Sequence, residues 1–510
     1  MKHLVISIIG LVVSCSIATA QLTDKQQIAK LNSVYEQIRD NYVDDVSLEP
    51  LVHEAIIATF KELDPHSKYL TKEEMEASKK RLRGEFAGIG INYTIHNDTL
   101  VVRCTIANSP AQKKGIQSND RITAINNQNI VGLSTDSIAT LLKGGTGSLA
   151  SLRVERRGTN EPLEIDLKRE LIEQSSISAA LRFGDVGYIS IDSFSRRLAN
   201  DFYSAYTNLG DIKSLIIDLR DNGGGLISAA IDLTSLFLNK GDVIVTTEGR
   251  NESITYSKKR DTKPIDIPLV VLINENSASA SEIFAGAIQD HDRGTIIGHT
   301  SFGKGLVQRV IKLKDGSGIY LTIARYKTPS GRTIQRPYTM GDGDRYISDS
   351  TRYMHPDSMS YHNKPVYRTL KLGREVYGGG GITPDEYIDI RDFQISNSVM
   401  MAVNNSTIDK MAIDYIDKVS LNTLLADYPS MEDFHARYRI EEKICEELYS
   451  KTGQSAEALT LQDREYLSTI FKSALAKRIY GDYGSTYIYV LEYDPMAQRA
   501  IAIACSKIIE

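Results

Sequence analysis

The chain has 510 residues, beyond the roughly 250–300 at which single hydrophobic cores stop growing, so several domains are expected. Its composition, 41% hydrophobic and a quarter charged, is that of a soluble globular protein, and a net charge of -5 leaves no basic footprint for nucleic acid. The nine histidines form no HExxH, and the cysteine spacings match no zinc pattern.

The first twenty residues read as an export signal. Basic Lys2 is followed by an apolar stretch over 4–13, then by Ala18-Thr19-Ala20 before Gln21. Ser14-Cys15 offers a second processing site, which would leave a lipid-bearing Cys15 and membrane attachment through that lipid. Either route puts the protein in the periplasm or cell envelope. No later apolar run approaches the roughly 20 residues of a spanning helix. In an oxidising compartment Cys445 and Cys505 could pair, leaving Cys104 as a buried thiol.

Residues 21–83 are expected to be helical, because Ile28, Leu31, Val34 and Ile38, then Leu51, Ala55, Ile56 and Phe60, recur every three or four positions. "LDPHS" (63–67) interrupts them, and Thr71 to Glu74 forms a capping box for the next helix. His66 could be a base or ligand, but beside Pro65 it reads as a turn residue. From 84 the pattern shifts to short strands with glycines at 84, 88 and 90, followed by "LVVRCTI", "NSPAQKKGI" and "RITAINN". This order resembles a PDZ domain over 84–170. The resemblance implies that Gly88, Ile89, Gly90 and Ile91 catch the C-terminal carboxylate of a bound peptide. The alternative is a glycine-containing strand with no ligand.

Residues 171–392 read as an α/β core. The continuous apolar strands "SLIIDL" and "PLVVLIN" alternate with helices, which argues for a sheet covered on both faces, with ligands at the strand ends. A polar stretch over 339–365 is expected to be a surface insertion. Residues 393–510 return to helical spacing, as a separate segment or an embrace of the core.

Three motifs in the core carry chemistry. In "SASASEI" (277–283), Ser279 and Glu282 form a capping box, so the serines could simply punctuate a helix start. "FGKGLVQ" (302–308) holds Lys304 between two glycines with Gln308 four residues on. A lysine can serve a serine nucleophile as base if burial lowers its pKa by about three units, roughly 4 kcal/mol. Extended strand would put residues 304 and 308 about 13 Å apart. Lys304 and Gln308 can therefore meet only if the chain bends at Gly303 or Gly305, or the lysine folds back. Lys304 could instead anchor an anion, although Walker A spacing is absent. "DLRDNGGGL" (218–226) points consecutive N–H groups toward one spot and could form an oxyanion hole with the N–H of Ala280.

Together with "LDPHS", "FAGIGI", "PSGRTIQ" and "GITPD", these motifs resemble the C-terminal processing peptidases, or tail-specific proteases, over roughly 35–388. The resemblance implies an α/β multidomain fold: a peptidase core with an inserted PDZ domain between helical N- and C-terminal segments. It implies Ser279 as nucleophile, Lys304 as general base and acid, Gln308 orienting the lysine, and oxyanion donors at Gly224 or Gly225 and Ala280. The expected substrates are polypeptides with unstructured C-terminal tails, and no metal, nucleotide or cofactor is expected. Departures from the family are Gly223 where many members carry proline, the 339–365 insertion and the C-terminal extension. The rival readings are a Ser–His triad using His299 or His291, and a non-catalytic PDZ-bearing peptide-binding protein on a protease-like fold.

Overall fold

The structure, a computed structural model, describes residues 23–106, 108–349, 364–389 and 394–509. The signal at 1–20, Cys15 and the centre of the 339–365 stretch lie outside the described residues. The chain divides into two compact units, with the division at 63/64. The first unit contains two helices, Asp24–Asn41 and Leu48–Lys61, in which no residue is buried. Thr23 and Gln26 cap the first reciprocally. Residues 64–67 of "LDPHS" and the helix Lys72–Arg83 go with the second unit, in which strand Lys68–Leu70 pairs with Gly318–Lys327. The capping box appears as expected, with Thr71 N donating to Glu74 and Glu74 N to Thr71 Oγ1.

The core of the second unit is a six-stranded sheet. Its order is Ile177–Phe183, Val186–Ile191, Ser214–Asp218, Leu269–Ile273, Thr295–Gly298 and Glu386–Tyr387, parallel except for the first pair. Ser214–Asp218 and Leu269–Ile273 are buried along their whole length, as continuous apolar runs require. Successive residues serve opposite faces. Leu215, Ile217, Leu269 and Val271 pack with Phe202, Leu233 and Phe284 of the intervening helices. Ile216, Val270 and Leu272 pack instead with Phe471, Leu475, Ile488, Ala497 and Ala504. The C-terminal helices Leu461–Tyr480, Asp482–Glu492 and Pro495–Ile509 are therefore the second cover of the sheet. Full burial of each large aliphatic side chain is worth roughly 1.5–3 kcal/mol, so leaving that face wet would be costly.

A second, five-stranded sheet joins Lys68–Leu70, Leu306–Lys312, Gly318–Lys327, Val243–Gly249 and Ser253–Ser257. The PDZ-like region has its own six-stranded sheet and core, including Ile89, Leu100, Ile122, Ile138 and Val154. The ribbon Glu85–Gly88 with Glu170–Glu173 brackets this region.

The C-terminal segment also grips the PDZ-like region, through helix Thr407–Val419. Asp409 pairs with Arg103 at 3.0 Å, Asp414 meets His96 Nε2 at 2.9 Å, and Asp417 takes Asn119 and Arg121. Arg157 donates to the carbonyls of Ile416 and Lys418. Part-exposed ion pairs contribute only about 0.2–1 kcal/mol each and weaken with salt. Asp417→Lys is therefore expected to raise amide exchange across the PDZ-like strands while leaving that of the central sheet unchanged, as read by hydrogen exchange.

Candidate active site

The loop after Leu269–Ile273 presents three serines in different settings. Ser277 Oγ donates to the Leu219 carbonyl and Ser281 Oγ to that of Asn222, and both residues are fully buried. Ser279 lines an open cleft of about 600 Å³. Its φ of 57° places a non-glycine residue in the left-handed region, the kind of strain that a sharp strand-to-helix turn imposes to expose a nucleophile. Helix Ala280–Asp290 starts at the next residue.

Lys304 reaches the same cleft. The chain bends at Gly303 (φ 87°), where a Cβ would come within 3.0 Å of Arg336 Cβ, and Leu306–Lys312 begins two residues after the lysine. Burial pushes the Lys304 ammonium below the ordinary lysine range, with the Glu282 carboxylate pulling it back up. Gln308 lines the cleft too, and its Nε2 donates to Thr322 Oγ1 at 3.2 Å; no bond between Gln308 and Lys304 is among the described hydrogen bonds.

Two groups that the sequence reading did not assign to the site tie the serine to the lysine. Glu282, fully buried, accepts from Ser279 N (2.8 Å) and Lys304 N (2.9 Å) on one oxygen, and from Ser301 Oγ (2.5 Å) and Gly303 N (2.7 Å) on the other. Burial raises its pKa while these four donors oppose the rise. The Tyr326 hydroxyl lies 3.1 Å from the Ser279 carbonyl oxygen and 2.8 Å from that of Lys304. The capping box marked Glu282 in the sequence, but only as a helix cap.

The glycine turn packs directly on this loop. A Cβ at Gly224 would come within 2.6 Å of the Ala278 carbonyl and 2.9 Å of Ser279 Cβ. The Gly224 N–H is already taken by Asn222 Oδ1 at 2.8 Å. Among the described hydrogen bonds, the N–H groups of Gly225 and Ala280 have no acceptor. Of the two glycines left open by the sequence, Gly225 is thus the one whose N–H has no described partner.

His66 sits in a turn, as expected, and it also lines the cleft. The pairing of Lys68–Leu70 with Gly318–Lys327 carries the "LDPHS" turn to the site, and the imidazole Nε2 lies 3.4 Å from the Tyr346 hydroxyl. Tyr346 belongs to the stretch expected to be a surface insertion, yet it is buried and its hydroxyl donates to Gly303 O at 3.2 Å. Burial, with the nearby Lys304 charge, pushes the His66 pKa down to about 4. The unfolded chain, with a histidine pKa near 6.5, therefore binds this proton more readily. Stability is fully present above about 6.5 and is lost as pH falls toward about 4. Urea unfolding should show a smaller loss between pH 7.5 and 5 for His66→Gln than for the parent.

The rival histidines lie elsewhere. His299 lines another cavity, with its ring nitrogens on Glu275 and the Ile388 carbonyl, and buried His291 is engaged by the Val243 carbonyl. In the PDZ-like region Ile89 is buried, and the carbonyls of Ile89 and Gly90 accept from Ala111 N and Ile106 N. The N–H groups of Ile89 and Gly90 have no acceptor among the described hydrogen bonds. Ile91 starts strand Ile91–His96, which among the described residues pairs only with Thr99–Thr105, an edge position of the kind that takes an added strand in PDZ domains. The possible Cys445–Cys505 pairing is not found: both thiols are free, Cys445 on a helix against Leu461–Tyr480 and Cys505 on the helix covering the sheet. Cys104 is free and half-buried.

A serine at a strained turn, a buried lysine and a PDZ-like region together define a PDZ-bearing serine-type peptidase. Residues 185–343 match peptidase family S41, and residues 101–156 match the PDZ domain. A carboxy-terminal-processing protease of Bartonella bacilliformis is 37% identical over 318 residues, covering 61% of this chain and 73% of that protein. A probable CtpA-like serine protease of Staphylococcus epidermidis is 31% identical over 460 residues, covering 83% and 92%. The carboxy-terminal processing protease CtpA of Bacillus subtilis is 32% identical over 317 residues, covering 62% and 68%. The chain belongs to the carboxy-terminal processing proteases of peptidase family S41.

Proposed function

We propose that this chain is an exported endopeptidase that holds the unstructured C-terminal tail of a polypeptide in its PDZ domain and cleaves that polypeptide at Ser279. The observation that carries this reading is the meeting of Ser279 and Lys304 in one cleft, their backbones bound to the same Glu282 oxygen.

Lys304, neutral, takes the Ser279 Oγ proton as Oγ bonds to the scissile carbonyl carbon and the carbonyl π electrons move to oxygen. The Gly225 and Ala280 N–H groups stabilise that oxyanion. Collapse breaks the C–N bond, and Lys304 gives its proton to the departing amine. Water then attacks the acyl-Ser279 ester, passing a proton to Lys304. The second collapse returns that proton to Oγ and frees the new carboxylic acid, which ionises by giving its proton to solvent. Gln308 orients the lysine between these steps. The tail adds as a strand along Ile91–His96, with its carboxylate at the loop formed by Gly88, Ile89, Gly90 and Ile91.

The test is capture of tail-bearing proteins by Ser279→Ala and their identification by mass spectrometry. Captured chains should share accessible C-termini, and a C-terminally amidated peptide should compete poorly. Equal competition by amidated and free-acid peptides would contradict tail recognition. Processing after Ala20 predicts a mature N-terminus at Gln21, whereas a lipid-modified Cys15 in the mature protein would replace soluble export with anchoring.

A further inference from the structure

Gln308 owes its position to an irregularity in the sheet. Leu306 pairs with Arg325 and Val307 with Ala324, but the register then slips so that Gln308 faces Thr322 and Ile323 has no opposite residue. Such bulges bend a strand and re-aim its side chains. Here the bulge brings the Gln308 amide nitrogen to Thr322 Oγ1.

The direction of that hydrogen bond is dictated from one residue further away. Thr322 Oγ1 lies 2.9 Å from Asp64 Oδ1. Burial pushes the Asp64 carboxyl up, but the Ser67 hydroxyl, the N–H groups of His66 and Ser67 and the Thr322 hydroxyl together hold it below the usual carboxylate range. An ionised carboxylate only accepts, so the threonine proton is committed to Asp64 and Thr322 offers Gln308 a lone pair alone. Only the NH₂ end of the amide can answer. Oε1 is thereby turned away from Thr322, on a side chain that lines the cleft with Lys304.

We propose that Asp64 and Thr322 are positioning residues that lock the Gln308 amide in the one flip state that offers its carbonyl oxygen to the Lys304 ammonium. The proposal rests on the reading of Gln308 given above. The acceptor matters when Lys304 has taken the Ser279 proton and carries three N–H donors. A flipped amide would set NH₂ against that cation. Asp64 thereby gives the "LDPHS" turn a task at the site, since the same carboxylate anchors the His66 and Ser67 N–H groups and Ser67 Oγ receives Thr322 N.

Asp64 shapes its own turn, so Thr322 is the cleaner probe. Thr322→Val should lower kcat on a free-tail peptide about tenfold, the upper end of what one hydrogen bond is worth, with KM little changed. Thr322→Ser should restore kcat. Thr322→Val combined with Gln308→Ala should be no slower than Gln308→Ala alone, because both break one unit. Independent, multiplying losses in the double variant, or a change confined to KM, would overturn the lock. Gln308→Ala at full kcat would remove the glutamine's role and the lock with it. An impaired Gln308→Ala beside an unimpaired Thr322→Val would overturn the lock alone. Thermal unfolding of each variant separates these results from loss of fold.

Discussion

Lys304→Ala is expected to lower kcat by roughly 10⁴-fold or more, as removal of the proton acceptor of a serine nucleophile does elsewhere, while thermal unfolding stays at or above that of the parent. The lysine is held in a setting that disfavours its charge, so its loss relieves a desolvation cost rather than creating one. Catalysis needs Lys304 neutral. The rate should therefore rise with pH along a limb set below the ordinary lysine value of about 10.4, and the residual activity of Lys304→Ala should lack that limb. Lys68 and His66 also bring basic nitrogens to the cleft, and His66 is the one lowered far enough to be neutral at ordinary pH. A base with its pKa of about 4 would give a limb in the acid range that persists in Lys304→Ala and disappears in His66→Gln.

The second large effect is expected at Glu282. Each of its oxygens takes two donors, so Glu282→Gln turns one acceptor into a donor facing two others, whichever way the amide lies. Buried donors left unsatisfied cost about 1–3 kcal/mol each. A displacement of about 1 Å between serine and lysine lowers the rate about 10²-fold. Glu282→Gln should therefore lose both stability, seen as a lower urea midpoint, and kcat, by about 10²-fold. Retention of kcat within a factor of about 3, a cost under 1 kcal/mol, would show that the carboxylate does not align the pair.

Local patterns and motifs were legible in the sequence; long-range partners were not. Ser279 and Glu282 read as a capping box, and the Ser279 N–H does meet Glu282. The other three donors to that carboxylate come from 19–22 residues downstream, a contact that periodicity cannot encode. A bend at Gly303 was one of three ways left open for Lys304 and Gln308 to meet, and Gly303 does take a positive φ. Gln308 was legible as a residue, but not the bulge that aims it at Thr322, because bulges arise from pairing between strands. His66 read as a turn residue and is one, but nothing beside it signals that Lys68–Leu70 adds to a strand some 250 positions away in sequence and so brings the turn to the cleft. The helices after 393 were plain from their spacing, whereas their role as the second cover of the sheet lay in the alternation of Leu215, Ile216 and Ile217 between two cores.

The central claim is that Ser279, activated by Lys304, is the nucleophile. Its most direct test is acid-quenched reaction with an activated peptide ester followed by peptide mass mapping. The account predicts one acyl group on the peptide containing Ser279, assigned by fragmentation to that residue, and no acylation in Lys304→Ala. Acylation at Ser277 or Ser281, or equal acylation without the lysine, would contradict it.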